Sequence, residues 1–222
     1  MATTLGLVSV ASAGGTVVVL TRWWTHRRDA LGRERPLPVI SASLLMVLAL
    51  VAALPAAHRR VLEHRLGMVG GALAGRHVTV HCQTTTGALV DMGNELGFVR
   101  FGPDGTPEAQ TLIKHEQCSL LSKYLAGDRK APSLAEVIAV HVLTHESMHM
   151  AGQTSESRAE CEAVQRDART ARLLGASATA ASRLAATYLR TVYPRMPEEY
   201  VTPDCRAGGP LDEHLEPSVF GP

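Results

Sequence analysis

The sequence predicts an α+β domain preceded by one or two membrane-spanning helices. Three observations lead to this fold class. An uncharged, apolar run over 38–57 is long enough to cross a bilayer as a helix. Short β-branched segments with alternating polarity follow this run and predict a small sheet. Apolar helical patterns bounded by capping residues and glycines occupy the rest of the chain.

Composition limits what the folded part can be. The 222 residues include only three Phe, four Tyr and two Trp, so a core must be built mainly from Leu, Val and Ala. The net charge is +1, and no basic stripe interleaved with aromatic residues occurs. This pattern argues against a nucleic-acid-binding protein, and we expect no nucleic-acid partner.

The N-terminal part of the chain offers a second, weaker span. Residues 1–21 carry no charged side chain, but glycines dilute their apolar run, so they are only a possible transmembrane segment. Residues 22–37 form a basic loop with Trp23 and Trp24 at its edge, where aromatic residues favour a membrane interface. If both segments span, this loop is cytoplasmic and everything after Ala57 lies outside.

If residues 1–21 do not span, 38–57 is a signal anchor, or a cleaved signal peptide that ends near Ala57. Both arrangements place the folded domain outside the cytoplasm, at the cell membrane. A cytoplasmic domain stays open, because arginines directly after the run weaken the charge asymmetry. These arginines are Arg59, Arg60 and Arg65.

Cysteine usage also favours an extracytoplasmic domain. All four cysteines follow the apolar run, and an even set in an oxidising compartment predicts two disulfides. Three pairings are possible, and we favour Cys82–Cys118 and Cys161–Cys205. A thiolate metal site is disfavoured, because the chain contains no C-x-x-C spacing.

The region before the main helices is predicted to contain the sheet. Residues 58–75 form a juxtamembrane connector whose glycines make a helix uncertain, so the folded domain is expected to cover 76–222. Short strands are predicted over 77–82, 96–101 and 109–113. Helices are predicted over 118–125, 134–150 and 177–192, and from about 155 to 174.

The best-defined helix is the one over 134–150. Ser133 and Glu136 form a capping-box pattern at its start, and a strongly apolar body follows. Gly152 is expected to end it, because glycine adopts the left-handed conformation after a helix at little cost.

This helix carries the pattern H-E-x-x-H at His145, Glu146 and His149. Histidines four positions apart lie on the same helix face and can bind one tetrahedral Zn²⁺ through neutral imidazoles. Glu146 is not expected to bind the metal, but it can reach a metal-activated water as general base. His141, one turn earlier, is expected to be a hydrogen-bonded neighbour and not a ligand.

The third ligand is expected from the next helix, whose first turn holds Glu156 and which Thr154 or Ser155 can cap. H-E-x-x-H followed by the E-x-x-A-E of Glu156 to Glu160 resembles the gluzincin class of zinc metallopeptidases. In spacing it is most similar to the minigluzincins and to the group containing the CAAX prenyl proteases. A metzincin would need a third histidine where Ser155 stands, so that class is disfavoured.

The resemblance covers about residues 133–175 and implies a zincin-like domain, with a small sheet in front of the metal helix. It implies that Glu156 is the third zinc ligand. It also implies that Glu160 does not bind the metal but contacts a ligating histidine and orients it. In such a fold an edge strand binds the extended backbone of the substrate.

These residues together predict a membrane-anchored zinc metalloendopeptidase that acts on a peptide or protein substrate with one Zn²⁺ per chain. Candidate donors to the developing oxyanion are Tyr188, Tyr193, Tyr200 and His214. The alternative is a non-catalytic, membrane-tethered zincin-fold module for binding or scaffolding. Glu146 argues against this alternative, because a purely structural metal site does not need a general base.

Overall fold

The computed structural model describes residues 2–29 and 31–221, with side chains from Leu7 onwards. The chain divides into two compact units. One comprises Met1–Val61 with Thr84–Thr86, and the other comprises Leu62–Gln83 with Gly87–Pro222. Two helices, α1 (Ala2–Thr25) and α2 (Val39–Ala74), are long and apolar enough to cross a membrane by length and composition.

The first unit pairs α1 with the beginning of α2 through small and polar residues. Ser12 and Thr16 are buried, and the Ser9 hydroxyl donates a hydrogen bond to the Ala49 carbonyl at 2.9 Å. Large apolar side chains such as Leu7 and Ile40 are exposed instead. This arrangement, with small residues between helices and apolar residues outside, is typical of helices that pack in lipid.

The α2 helix does not end where the apolar run ends. It continues to Ala74, whereas the sequence made a helix over 58–75 uncertain because of its glycines. Those glycines serve packing, since a Cβ at Gly71 would lie 3.0 Å from the Arg76 carbonyl oxygen on the way into the first strand. Four residues of this stretch belong to the core of the second unit, namely Leu62, Leu66, Val69 and Leu73. The folded unit therefore begins at Leu62, upstream of the expected start at Arg76.

The sheet has three short strands, β1 (Thr79–Cys82), β2 (Gly97–Phe101) and β3 (Pro107–Ile113), in the order β1-β3-β2. β1 runs parallel to β3, and β2 runs antiparallel to it with Gly97 opposite Ile113. The three predicted strands are confirmed to within two residues at each end. A short helix that the sequence did not predict, α3 (Thr85–Val90), lies between β1 and β2.

The remaining helices follow the sheet: α4 (His115–Ala126), α5 (Leu134–Met150), α6 (Glu156–Leu173) and α7 (Ala178–Thr191), with a 3₁₀ turn at Tyr193–Arg195. α5 is the central helix and almost all of its side chains are buried.

The boundaries of α5 are those predicted from its capping residues. The Glu136 carboxylate accepts the Ser133 N–H at 2.8 Å, and the Ser133 hydroxyl accepts the Glu136 N–H, which completes the capping box. Gly152 follows the helix with φ of +114°. Ser155 stands at the N-cap of α6, but its side chain makes no capping bond.

Two disulfides fasten this fold. Cys82 pairs with Cys118 and joins β1 to α4, and Cys161 pairs with Cys205 and joins α6 to the C-terminal tail. These are the two pairings that the sequence favoured.

Candidate metal centre

Three side chains from two helices converge where α5 meets the first turn of α6. His145 and His149 are buried on one face of α5, and Glu156 faces them. The two Nε2 atoms lie 3.0 Å apart, and Glu156 Oε2 lies 3.2 Å from that of His145 and 3.3 Å from that of His149. The structure thus brings together the three ligands expected from the sequence, as one group that could hold a metal ion.

The other ring nitrogens show how the two histidines are oriented towards Glu156. His145 Nδ1 lies 3.0 Å from a Glu160 carboxylate oxygen, and His149 Nδ1 lies 2.7 Å from the Gln153 carbonyl oxygen. Because those oxygens can only accept, each Nδ1 carries a proton. Glu156 and Glu160 outweigh the effect of burial and raise the pKa of His145 to about 9, so its Nε2 also donates a proton to Glu156 unless a metal cation takes the place of that proton. With such a cation bound, two Nε2 lone pairs and one carboxylate oxygen would face it.

The separations also suit a small tetrahedral ion. Ligand bonds of 2.0–2.1 Å at tetrahedral angles place the ligand atoms about 3.3 Å from each other. The three observed separations run from 3.0 to 3.3 Å. The geometry and the donor chemistry both fit one metal ion held by three protein ligands.

Glu160 contacts His145 at Nδ1, the ring nitrogen that does not face Glu156. It is 1% exposed, and its Oε1 accepts the Tyr188 hydroxyl at 2.7 Å while Oε2 faces His145. Burial alone would raise the pKa of Glu160, but the neighbouring histidines outweigh it and hold the pKa well below the usual range. The carboxylate is therefore charged and accepts hydrogen bonds, as the orienting role requires.

His141 is the predicted neighbour and not one of the three converging ligands. Its Nε2 lies 2.9 Å from Glu160 Oε2 and its Nδ1 lies 2.8 Å from Asp167 Oδ2. Despite complete burial, the two carboxylates raise the pKa of His141 to about 10, so the ring is a cation. It stacks on Tyr188 with ring centroids 3.5 Å apart. His141, His145 and Glu160 also lie close enough to share a metal, but both nitrogens of His141 already have carboxylate partners.

Glu146 lies next to these candidate ligands and is almost fully buried. It is 4% exposed, and burial raises its pKa to about 7. The Thr111 hydroxyl oxygen lies 3.3 Å from Glu146 Oε2 and 2.9 Å from the Phe98 carbonyl oxygen. A carboxyl group with this pKa can take up and release a proton near neutral pH.

The candidate metal centre lies in a cleft of about 480 Å³. One wall is the edge strand β2 and the residues before it, and the floor is α5 with Ile138 and Val142. The third side is formed by residues after α7, namely Val192, Met196, Pro197 and Tyr200. The cleft is largely apolar, and residues of the edge strand β2 line it.

Of the four candidate oxyanion donors, only Tyr200 has a suitable position. It lines the cleft, with its ring centroid 5.9 Å from that of His145. The hydroxyls of Tyr188 and Tyr193 are bound to Glu160 and to the backbone of Thr202. His214 is exposed beside Asp212 in the tail, away from the residues that line the cleft.

Three further residues shape the site and were not found from the sequence. The first is Asp167, whose carboxylate stabilises the protonated form of His141. The second is Thr111, which contacts Glu146, and the third is Gly97, which leaves room for Glu146. Each is far from the motif in the chain, so no local pattern indicates it.

Comparisons with known proteins found no relative of this chain. No family model, no curated protein and no solved structure matches the chain.

Proposed function

We propose that the protein is a membrane-anchored zinc metalloendopeptidase with its catalytic domain outside the cytoplasm. The observation that supports this most is the convergence of His145 Nε2, His149 Nε2 and Glu156 Oε2 within 3.3 Å beside a buried carboxyl group at Glu146. Zinc is the metal that suits two imidazoles and one carboxylate with a fourth position left for water. When bound, it would lower the pKa of that water and polarise the scissile carbonyl.

The residues of the chain have separate roles in this proposal. Glu146 accepts a proton from the attacking water and later donates it to the leaving amine. Tyr200 donates a hydrogen bond to the developing oxyanion. Glu160 and the Gln153 carbonyl keep the two histidines in the tautomer that presents Nε2.

The substrate is proposed to be a peptide segment in extended conformation. An edge strand has unpaired backbone groups, and β2 can therefore pair with the substrate backbone along the cleft. The apolar floor at Ile138 and Val142 favours an apolar side chain next to the cleaved bond.

Placement outside the cytoplasm rests on the two candidate spans and the two disulfides. Disulfides persist in oxidising compartments and are rare in the cytosol. A C-terminal alkaline-phosphatase fusion tests this placement, because that reporter is active only where disulfides form. An inactive fusion, with an active cytoplasmic reporter at the same position, would put the domain inside.

The catalytic proposal is tested on the whole chain in detergent micelles, because α2 contributes core residues to the folded unit. We expect one zinc per chain by elemental analysis, lost in His145→Ala and Glu156→Ala. Glu146→Gln should keep the zinc and lose hydrolysis of a quenched-fluorescence peptide library by about 10²–10⁴-fold. Glu116→Gln, an exposed acid on α4, is the matched control.

Zinc without hydrolysis in the wild-type protein would favour the binding or scaffold module. A wild-type protein that folds without zinc would contradict the ligand assignment itself.

A further inference from the structure

A second cavity, which we name the tail cavity, lies between the second half of α6, the beginning of α7 and residues 215–217 of the C-terminal tail. Its volume of about 590 Å³ is within the usual range of pockets for small organic ligands. Gln165, the first α6 residue in its lining, lies about 14 Å along the helix axis from Glu156. No described residue lines both this cavity and the cleft at the candidate metal centre. The tail cavity is therefore a separate feature of the second compact unit.

The tail is bonded to α6 directly before it reaches the cavity. The buried Gln165 amide donates a hydrogen bond to the Leu211 carbonyl at 2.9 Å, and its Oε1 accepts the Glu213 N–H at 2.8 Å. The Arg166 guanidinium forms two hydrogen bonds with the Glu213 carboxylate. The second disulfide joins the same helix to the tail. These bonds hold the wall of the tail cavity in place, so the cavity is formed before any ligand binds.

Three arginines of α6 line the tail cavity, namely Arg166, Arg169 and Arg172. Residues three positions apart are neighbours on a helix surface, so their like charges repel one another. Glu213 neutralises Arg166. In the part of the chain that the structure describes, no carboxylate pairs with Arg169 or Arg172. Arg169 donates only to the Ala72 carbonyl, at 3.1 Å, and the Arg172 side chain makes no hydrogen bond there.

The rest of the lining limits the charge and the character of a ligand. Glu216 contributes one carboxylate, and among the described residues it forms no ion pair with either arginine. Two uncompensated guanidinium groups and one carboxylate leave a single positive charge in excess. The apolar part of the lining consists of Ala168, Leu173, Ala178, Leu215 and Pro217. A molecule with one negative charge joined to an apolar body matches both properties.

We propose that the tail cavity binds an organic carboxylate with an apolar body, and that Arg172 and Arg169 hold its carboxylate. The planar guanidinium group donates two parallel hydrogen bonds to a carboxylate, and an anion between the two arginines also reduces their repulsion. The apolar body packs against Leu173 and Leu215. The bound molecule contacts α6, α7 and the tail together. This site requires neither the metal nor peptidase activity.

The test is photolabelling of the full chain in nonionic detergent micelles with para-benzoylbenzoate, a carboxylate joined to a benzophenone. A chelator first removes metal ions, so that the probe cannot bind to a metal. The labelled residues are mapped by proteolysis and mass spectrometry. We expect saturable labelling within 165–182 or 215–217, the parts of the chain that line the tail cavity. The neutral para-benzoylbenzamide has the same apolar body and should require at least about tenfold more probe for half-maximal labelling.

One pair of variants tests the role of the unpaired arginine. Arg172→Ala should raise the concentration of para-benzoylbenzoate for half-maximal labelling by about 10–100-fold, because a hydrogen bond between charged groups is lost. Arg190→Ala is the matched control, since Arg190 is exposed on α7, carries the same charge and lines neither cavity. We expect this control to label like the wild type.

Three outcomes would overturn the proposal. Equal labelling by the carboxylate and the amide would show that the cavity takes up apolar groups without recognising the anion. Equal effects of Arg172→Ala and Arg190→Ala would show only a general attraction of the probe to positive charge. Labelling confined to residues outside the tail cavity would place the binding site elsewhere. Because the protein is free of metal, failure of the proposed zinc site would change none of these readouts.

Discussion

The Nδ1 atom of His145 lies 3.0 Å from Oε2 of Glu160. The same carboxylate oxygen lies 2.9 Å from Nε2 of His141, so one buried oxygen contacts both a histidine of the candidate metal centre and the buried cation of His141. A carboxylate behind a ligating histidine fixes its tautomer and increases its basicity. Glu160 thus links the candidate metal centre to the interior of the fold.

Replacing Glu160 should weaken metal binding without removing it. We expect Glu160→Gln to lower zinc affinity by about 10–100-fold, as for other partners that orient ligating histidines. Glu156→Ala should lose stoichiometric binding altogether. Competition with a chromogenic chelator measures both affinities, and the reverse order would exchange the roles of the two residues. Tyr188→Phe is the control, because it leaves the contact of Glu160 with His145 in place.

The buried cation at His141 should stabilise the fold in a pH-dependent way. Its pKa is raised from 6.5 to about 10 by Asp167 and Glu160, while Tyr188 stacks on it and the His145 ring centroid lies 6.1 Å away. Because the pKa of His141 is higher in the folded state than in the unfolded state, its protonation stabilises the fold fully below about pH 6.5. This contribution is lost as the pH rises through about 10.

His141→Ala would leave both carboxylates buried without their cation and should cost about 3–5 kcal/mol of unfolding free energy. Thermal unfolding of the metal-free protein, followed by circular dichroism at pH 6 and pH 10, measures this. The difference between wild type and variant should shrink at the higher pH. A difference that stays constant with pH would contradict a protonated His141.

Tyr200 should affect turnover and not metal binding. Tyr200→Phe removes the hydroxyl proposed to stabilise the oxyanion, and we expect kcat to fall by about 10²–10³-fold with unchanged zinc content. Tyr193→Phe is the matched control, because the Tyr193 hydroxyl bonds to the backbone of Thr202 and does not line the cleft. Equal effects of both substitutions would point to a structural role for Tyr200.

The two disulfides should differ in their effect on activity. They close sequence separations of 36 and 44 residues, and chain-entropy estimates give about 4 kcal/mol for each. Replacing Cys161 and Cys205 by serine should also reduce hydrolysis, because the tail that carries Tyr200 is then no longer linked to α6. Serine at Cys82 and Cys118 should affect mainly the thermal midpoint. Equal losses of activity at equal stability would show that the tail is held by other contacts.

Much of the fold could be predicted because its signals are local. α5 has a capping box at one end and a glycine at the other, and both of its boundaries were predicted correctly. The strands were found from their alternation. The continuation of α2 was not predicted, since glycine weakens an isolated helix by about 1 kcal/mol per residue and only tertiary packing compensates for it.

The same distinction between local signals and distant contacts applies to the candidate site. His145, His149 and Glu156 lie within a short stretch whose spacing indicates a shared ion. Asp167 and Thr111 could not be found, because a histidine or a glutamate in a sequence does not show which distant group it contacts. The sequence offered four equal candidates for the oxyanion donor. Only the path of the chain after α7, which places Tyr200 in the lining of the cleft, distinguishes it from the other three.

Gly97 shows that close packing links two residues that lie far apart in the chain. A methyl group at this position would lie 2.8 Å from Glu146 Oε1, and contact this close forces one of the two groups to move. A side chain at position 97 would therefore push the Glu146 carboxylate out of its present place beside the Thr111 hydroxyl. Descendants of this chain that keep the Glu146 carboxylate in this position should therefore also keep glycine at position 97.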